Sequence, residues 1–393
     1  MIREPASFLW GAATSAHQVE GNNIHNDWWQ WEQKTPGAVK SGAADDHYRL
    51  FREDFALARE LGHNAHRLSL EWSRLELKEG QWNEGAIDHY REVLECLREN
   101  GLASFVTLHH FTNPMWLSKR GGWENKETPR LFARYAEMVA EHLGDLIDFW
   151  VTINEPMVYV TQSYWRACWP PQRHSLRATL KVIRHMAYGH RLAYENIHRV
   201  KPQAKVGIAN SVIAFSPDSE RKVGDKLAAG LNDWWYNHRF FGLTKGTHDF
   251  IGLNYYFPRK LGVKIMPLRV EQMPVSGLQS DLGWPIKAEG LTHILSYMKR
   301  YRLPIYITEN GLADADDSRR ADFIRDHLRA IERAQEGGAD VRGYLHWSLL
   351  DNFEWIEGFK PRFGLVEVNY ETMARKPRPS AYVYKAIIEQ ARK

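Results

Sequence analysis

The sequence predicts a single parallel α/β barrel, and three observations carry that expectation. Eight short apolar runs read as strands, and most are separated by a stretch of helical period. Strand and helix alternating through eight units close naturally into a (β/α)8 barrel. Chemically capable polar residues also gather at the C-terminal ends of the runs, where barrel enzymes place their sites. A doubly wound sheet is the rival architecture; the missing GxGxxG after the first run and the absence of a P-loop pattern count against it. A length of 393 residues suits two ordinary domains or one large barrel. No Gly/Ser linker, low-complexity tract or internal repeat divides it, so residues 1–393 are expected to form one domain.

In chain order the first run is "FLWGAAT" (8–14), followed by the helical "DDHYRLFREDFALARELG" (45–62). "NAHRLSL" (64–70) precedes the helix "AIDHYREVLECLRENG" (86–101), and "LASFVTL" (102–108) precedes "TPRLFARYAEMVAEHLG" (128–144). "DFWVTI" (148–153), "AKVGIA" (204–209), "DFIGLNYY" (249–256) and "PIYIT" (304–308) are the next four runs. The helix "RRADFIRDHLRAIERAQEGG" (319–338) leads into the eighth, "VRGYLHWSLL" (341–350). Each of these four helices ends at Gly, as a helix C-cap does.

Composition narrows the function. With 44% hydrophobic and 25% charged residues a sizeable core is expected and wholesale disorder is not. Sixteen Trp, seventeen Tyr and sixteen Phe fit either an aromatic core or a surface that stacks flat apolar faces, sugars among them. A formal charge of +4 without a long Lys/Arg block argues against nucleic acid. Two distant cysteines, Cys96 and Cys168, suggest neither a disulfide framework nor a CxxC metal site. The N-terminal "MIREPASFLWGAATSA" lacks a long apolar segment, and no run of 18 apolar residues occurs. The expectation is a cytoplasmic protein without membrane partner, cofactor or metal, of open oligomeric state.

Two strand ends raise the central chemical question. "YITENG" stops an apolar run at Glu309, with Asn310 and Gly311 read as turning the chain; "FWVTINEP" stops at Glu155, before the helix-breaking Pro156. Two glutamates across one barrel mouth suit glycoside hydrolysis, in which one carboxylate attacks the anomeric carbon and a carboxylic acid protonates the leaving oxygen. Read singly, each is a solvated strand-end charge. Arg67 beside Glu309 favours the ionised nucleophile, and a Tyr256 hydroxyl orients it, although Arg67 equally suits a salt bridge closing the barrel. The charge of Glu309 then raises the pKa of Glu155 and keeps it an acid, and Asn154 is placed to donate to a sugar 2-OH. Further polar ends are His17, Gln18 and Glu20 after the first run, His109 and His110 after the third, Asn254 in the sixth and Trp347 in the eighth. In "LHHFTNP" adjacent strand residues face opposite ways, which argues against one metal held by both histidines. "HWSLLDNFEW" reads as a sugar platform with an acceptor, Trp347, Glu354 and Trp355, or as a core Trp pair with a surface acid.

Seven ordered motifs then carry a resemblance over nearly the whole chain: "FLWGAATSAHQVEG", "HRLSLEWSRLE", "TINEP", "DFIGLNYY", "ITENG", "WSLLDNFEW" and "RFGLV". The chain resembles glycoside hydrolase family 1, the retaining β-glucosidases and β-galactosidases. The resemblance implies a (β/α)8 barrel with Glu155 as acid/base and Glu309 as nucleophile. It implies that Gln18, His110, Asn154, Glu354 and Trp355 hold the nonreducing sugar, that Trp347 stacks under it, and that Arg67, Asn254 and Tyr256 attend the nucleophile. Trp284, in "GWPIKAEGL", matches a tryptophan of the aglycone side. The expected substrates are small-molecule β-glycosides or short oligosaccharides, with a phosphoglycosidase, a transglycosylase or a noncatalytic sugar binder as alternatives. Where relatives often have Trp then Asp after the glycone histidine, this chain has Phe111, Thr112 and Asn113. "NHRFFGLTKGTHD" (237–249) is abbreviated, which predicts an aglycone side walled mainly by Trp284 and a few aromatics, with little directional hydrogen bonding.

Overall fold

A computed structural model describes residues 8–265 and 268–393. Eight parallel strands form the centre: β1 (Leu9–Ala13), β2 (Ala65–Ser69), β3 (Ala103–His109), β4 (Phe149–Asn154), β5 (Lys205–Pro217), β6 (Ile251–Ile265), β7 (Ile305–Asn310) and β8 (Val341–Trp347). Each pairs with its sequence neighbour, and β8 returns to pair with β1, so the sheet closes. Closure satisfies both edges of every strand, which an open sheet leaves exposed. Strands 5 and 6 outrun the predicted segments. They continue past the barrel as a paired ribbon, Ala214 opposite Pro258 and Pro217 opposite Leu261, and β6 then turns back into the antiparallel strand Leu268–Met273.

The helices that cover the barrel are α1 (His47–Glu60), α2 (Glu84–Glu99), α3 (Thr128–Leu143), α4 (Leu176–Val200), α5 (Val223–Asp233), α6 (Ala288–Met298), α7 (Arg320–Glu336) and α8 (Pro379–Ala391). The predicted glycine caps hold at α1, α2 and α7, where Gly62, Gly101 and Gly338 take the left-handed conformation that other residues resist. Gly144 after α3 does not. It stays right-handed, and a Cβ there would meet the Lys201 side chain, so close packing explains it.

Aromatic and aliphatic side chains fill two separate spaces. Inside the barrel, Phe105, Phe149, Phe250 and Tyr306 pack with Ala65, Val151 and Leu345. Phe105 and Phe149 lie face to face with centroids 4.2 Å apart. This plug blocks the lower end, so only the C-terminal mouth is left for a ligand. A much larger core, including the buried Trp10, Trp72, Trp123 and Trp150, lies between strands and helices. Most of the tryptophan surplus is therefore core, as the bland reading of the composition holds.

Two local predictions change at the strand ends. Pro156 does not break a helix. It occupies the first position of a short one, Pro156–Val160, where a missing N–H costs nothing. Asn310 still belongs to β7, and Gly311 serves close approach: a Cβ there would sit 1.7 Å from the Trp347 carbonyl oxygen.

Candidate active site

The barrel mouth opens into a pocket of about 530 Å3, within the range of small-ligand sites. Glu155 and Glu309 both line it, and they are buried to 8% and 3% exposure. Their backbones explain how they get there. Glu155 follows β4 in a left-handed conformation, φ 42° and ψ 58°, held by its N–H donating to the Ala209 carbonyl at 2.7 Å. On β7 the register against β6 shifts between Ile307 and Glu309. Strict alternation puts Thr308 and Glu309 on opposite faces, yet Thr308 Oγ1 donates to Asn254 Oδ1 at 2.7 Å while Glu309 meets Arg67. The shift re-aims one side chain toward the mouth, as β-bulges beside sites commonly do.

A continuous hydrogen-bonded chain links the two carboxyls. Arg67, fully buried, donates through Nη1 to Glu309 Oε1 and through Nη2 to Asn154 Oδ1 at 2.7 Å. Asn254 Nδ2 donates to the same Asn154 oxygen at 3.2 Å and to Glu155 Oε1 at 3.0 Å. Tyr256 Oη donates to Glu309 Oε2 at 2.6 Å. Both readings of Arg67 hold, since it ties strands together and faces the carboxylate.

The electrostatics of the two carboxyls differ. Burial pushes Glu309 up, and although Arg67 first and then the Tyr256 hydroxyl oppose this, its pKa stays above the usual carboxylate value. Burial and then the charge of Glu309 push Glu155 up to about 8, with the Asn254 amide, the Arg67 charge and the Ser211 hydroxyl opposing. With a guanidinium against Glu309 and an amide against Glu155, a single negative charge is better held on Glu309, which leaves the proton on Glu155.

Around them stand the predicted sugar-side residues. Gln18 Nε2 donates to Asn352 Oδ1, the Phe353 carbonyl and Glu354 Oε2 at 3.0, 2.9 and 3.2 Å. Burial, then Glu309 and Glu155, raise Glu354 to about 8. Asn154 Nδ2 approaches His110 Nε2 at 3.2 Å, and burial followed by Arg67 holds the imidazole pKa well below its usual value. His110 is therefore neutral, and its Nδ1 has no hydrogen-bond partner among the described residues. Trp347 and Trp355 flank it with nearly parallel rings, at 6.0 and 6.2 Å between centroids. Trp347, Glu354 and Trp355 of "HWSLLDNFEW" all line the pocket, and both tryptophans are also buried among core side chains. Trp284 stands on the outer side with Phe257, 4.9 Å between centroids.

Not every polar strand end belongs to the site. His17 is paired with Glu32 at 2.8 Å, and Glu20 with Arg74 at 2.9 Å, both in buried scaffolding. His109 turns to the helix side, against Asn113 Oδ1 at 3.1 Å and Trp123 Nε1 at 3.2 Å. Among the described residues no cluster of His, Cys, Asp and Glu is arranged to hold a metal, and no helix is long and apolar enough to cross a membrane.

The outer wall corrects the sequence reading. Phe257 and Tyr236 do join Trp284 as aromatics there, but the β5–β6 ribbon also supplies Ile213 and Arg259, and the connection after β4 adds Arg166, so the side is not left mainly to aromatics. Phe257 and Arg259 were missed because β6 was read as ending at Tyr256, and Ile213 because β5 was read as ending at Ala209.

Comparison with known proteins agrees with this geometry. A family model described as Glycosyl hydrolase family 1 matches residues 2–245 and 241–393. A β-galactosidase of Pyrococcus woesei is 32% identical, covering 98% of this chain and 96% of its own, over 496 aligned positions. Against 393 residues here, that length places the insertions in the relative. The β-glucosidase A of Thermotoga maritima is 31% identical over 98% of this chain and 97% of its own. The solved β-glycosidase from Pyrococcus horikoshii is 41% identical, with a TM-score of 0.93 over 98% of this chain and 95% of that one. With the barrel and the sequence likeness both extending across nearly its full length, the chain belongs to glycosyl hydrolase family 1, the retaining β-glycosidases.

Proposed function

We propose that the chain hydrolyses terminal nonreducing β-D-glucosides, and β-D-galactosides or fucosides, of small aglycones, with Glu309 as nucleophile and Glu155 as acid/base. The observation that carries the assignment is the unequal support of the two carboxyls: a guanidinium and a phenol on Glu309, an amide on Glu155. In the first step a Glu309 oxygen attacks the anomeric carbon, the bond to the aglycone oxygen breaks, and the Glu155 proton passes to that oxygen. The ester so formed removes the Glu309 charge, so the pKa of Glu155 falls and it becomes a base. In the second step Glu155 takes a proton from water, the water oxygen attacks the anomeric carbon and the ester bond breaks. Asn154, tied to Arg67 and Asn254, is oriented to donate to the sugar 2-OH as positive charge develops.

Gln18, His110 and Glu354 form the stricter end of the pocket. Glu354 offers no cation at the sugar's 4- and 6-hydroxyls, so 6-phosphoglycosides are disfavoured there. A panel of nitrophenyl glycosides tests the reading, combined with proton NMR of the first-formed sugar. Turnover of the β-glucoside with release of the β anomer is expected. An initial α anomer contradicts the double displacement, and faster turnover of the 6-phosphate than of the parent glucoside contradicts the sugar assignment.

A further inference from the structure

We infer that the leaving-group side of the pocket is built for an aglycone that carries a carboxylate, bound by Arg166 and Arg259. The inference rests on the β-glycosidase reading above and names the chemistry of the second half of its substrate. Arg166 lies on the same connection after β4 as Glu155, and Arg259 on the extension of β6 beyond Asn254 and Tyr256. Both line the pocket, away from the loops after β1, β3 and β8 that bring Gln18, His110 and Glu354.

These two guanidiniums lack what most other arginines here possess. Arg67, Arg74, Arg319, Arg320, Arg375 and Arg378 each face a carboxylate, whereas neither Arg166 nor Arg259 has an ion-pair partner among the described residues. For Arg166, which is exposed, water is partner enough. Arg259 is different. It is half-buried, its guanidinium carbon lies 5.4 Å from the Phe257 ring centroid, and its Nε is shielded with no hydrogen-bond partner among the described residues. Burial first, and the neighbouring Arg166 as well, hold its pKa below the usual arginine value, while the Tyr236 phenol beside it acts the other way. Two neighbouring cations without an ion-pair partner among the described residues form a ready receptor for an anion. The fork of an arginine matches a carboxylate with two parallel hydrogen bonds.

The acids of the pocket lie elsewhere. Glu155, Glu309 and Glu354 are at the sugar end, Asp281 is engaged by Arg319, and Glu357 follows the β8 connection. An anion carried by the aglycone is therefore drawn to the β4–β6 wall, with Phe257 and Trp284 available for its apolar part.

The test compares 4-carboxybenzyl and 4-carbamoylbenzyl β-D-glucosides on the full chain at low ionic strength. The methylene insulates the leaving oxygen, so the two differ in charge and hardly in leaving-group acidity. We expect kcat/KM to favour the carboxylate by about tenfold, the size of one charge-assisted pair, and the ratio to shrink toward one in ~1 M salt. Arg259→Gln and Arg166→Gln should each lower the ratio, and the double variant should bring it to about one. Each protein is its own control, since the ratio is read within one preparation. A ratio of one or less in the parent chain overturns the inference while turnover of the carbamoyl compound keeps the glycosidase reading intact. A ratio that survives the double substitution also overturns it. If neither benzyl glucoside nor the nitrophenyl glucoside is turned over, the glycosidase reading itself fails.

Discussion

The floor and the outer wall of the pocket are built by opposite means. On the floor every functional group is held by another: Arg67, Asn154 and Asn254 form an unbroken hydrogen-bonded chain between Glu309 and Glu155, and Tyr256 donates to Glu309 from the other side. These residues stand on strands or immediately after them, over an aromatic plug that leaves no room to shift. On the wall the side chains come from a ribbon and from connections, and neither Arg166 nor Arg259 has an ion-pair partner among the described residues. The lesson is a division of labour. The mutually bonded floor suits the single transition state proposed for it, and the wall leaves its guanidiniums available for the proposed anionic aglycone.

Breaking the floor should therefore cost far more than breaking the wall. Glu309→Gly should abolish turnover of every glycoside, by ~10^4-fold or more in kcat, because no other group can form the covalent intermediate. Measurable turnover of any substrate without added nucleophile counts against the assignment. Glu155→Ala should lose about 10^2 to 10^4-fold on substrates with poor leaving groups and far less on dinitrophenyl glycosides, which leave without a proton. Equal losses across leaving groups sink the acid role.

The pH profile sharpens the same comparison. Glu155 works while protonated, so kcat/KM should fall as pH rises through about 8; Glu309 works while ionised, so activity should also fall toward acid. Tyr256→Phe removes a donor that favours the charged form of Glu309. Its pKa must rise, the acidic limb must move to higher pH, and kcat/KM should drop about tenfold or somewhat more. An unmoved acidic limb assigns that limb to another group. The smallest effect belongs to the wall: Trp284→Ala should weaken aryl glucosides by less than about tenfold through KM, with kcat for an alkyl glucoside little changed. A loss comparable to that of Tyr256→Phe dissolves the distinction between floor and wall.

Much of this was open to a reader of the residues. Eight strands were legible because buried parallel strands are short apolar runs between periodic helices, and the two glutamates stood out because each ends such a run. The assignment of Gln18, His110 and Glu354 to the sugar end came from motif resemblance, which periodicity has no means to supply. His17, Glu20 and His109 were equally polar and equally close to strand ends, yet they pair within the scaffold. Their fate depends on Glu32, Arg74 and Asn113, whose proximity is a matter of packing and not of spacing.

The sequence alone determined the closed barrel, the end of it that is chemically equipped, and the identity of the two carboxyls, since all three follow from local pattern. Only the tertiary structure decided which polar neighbours reach those carboxyls and how the outer wall is made. The register shift on β7 swings Glu309 beside Arg67, and the ribbon of β5 and β6 carries Arg259 to the pocket. The physical reason is that a bulge or an extended ribbon costs little locally and leaves scarcely a trace in composition. A pKa pushed up to about 8 arises from burial and from charges on strands far apart in the chain, which only folding brings together.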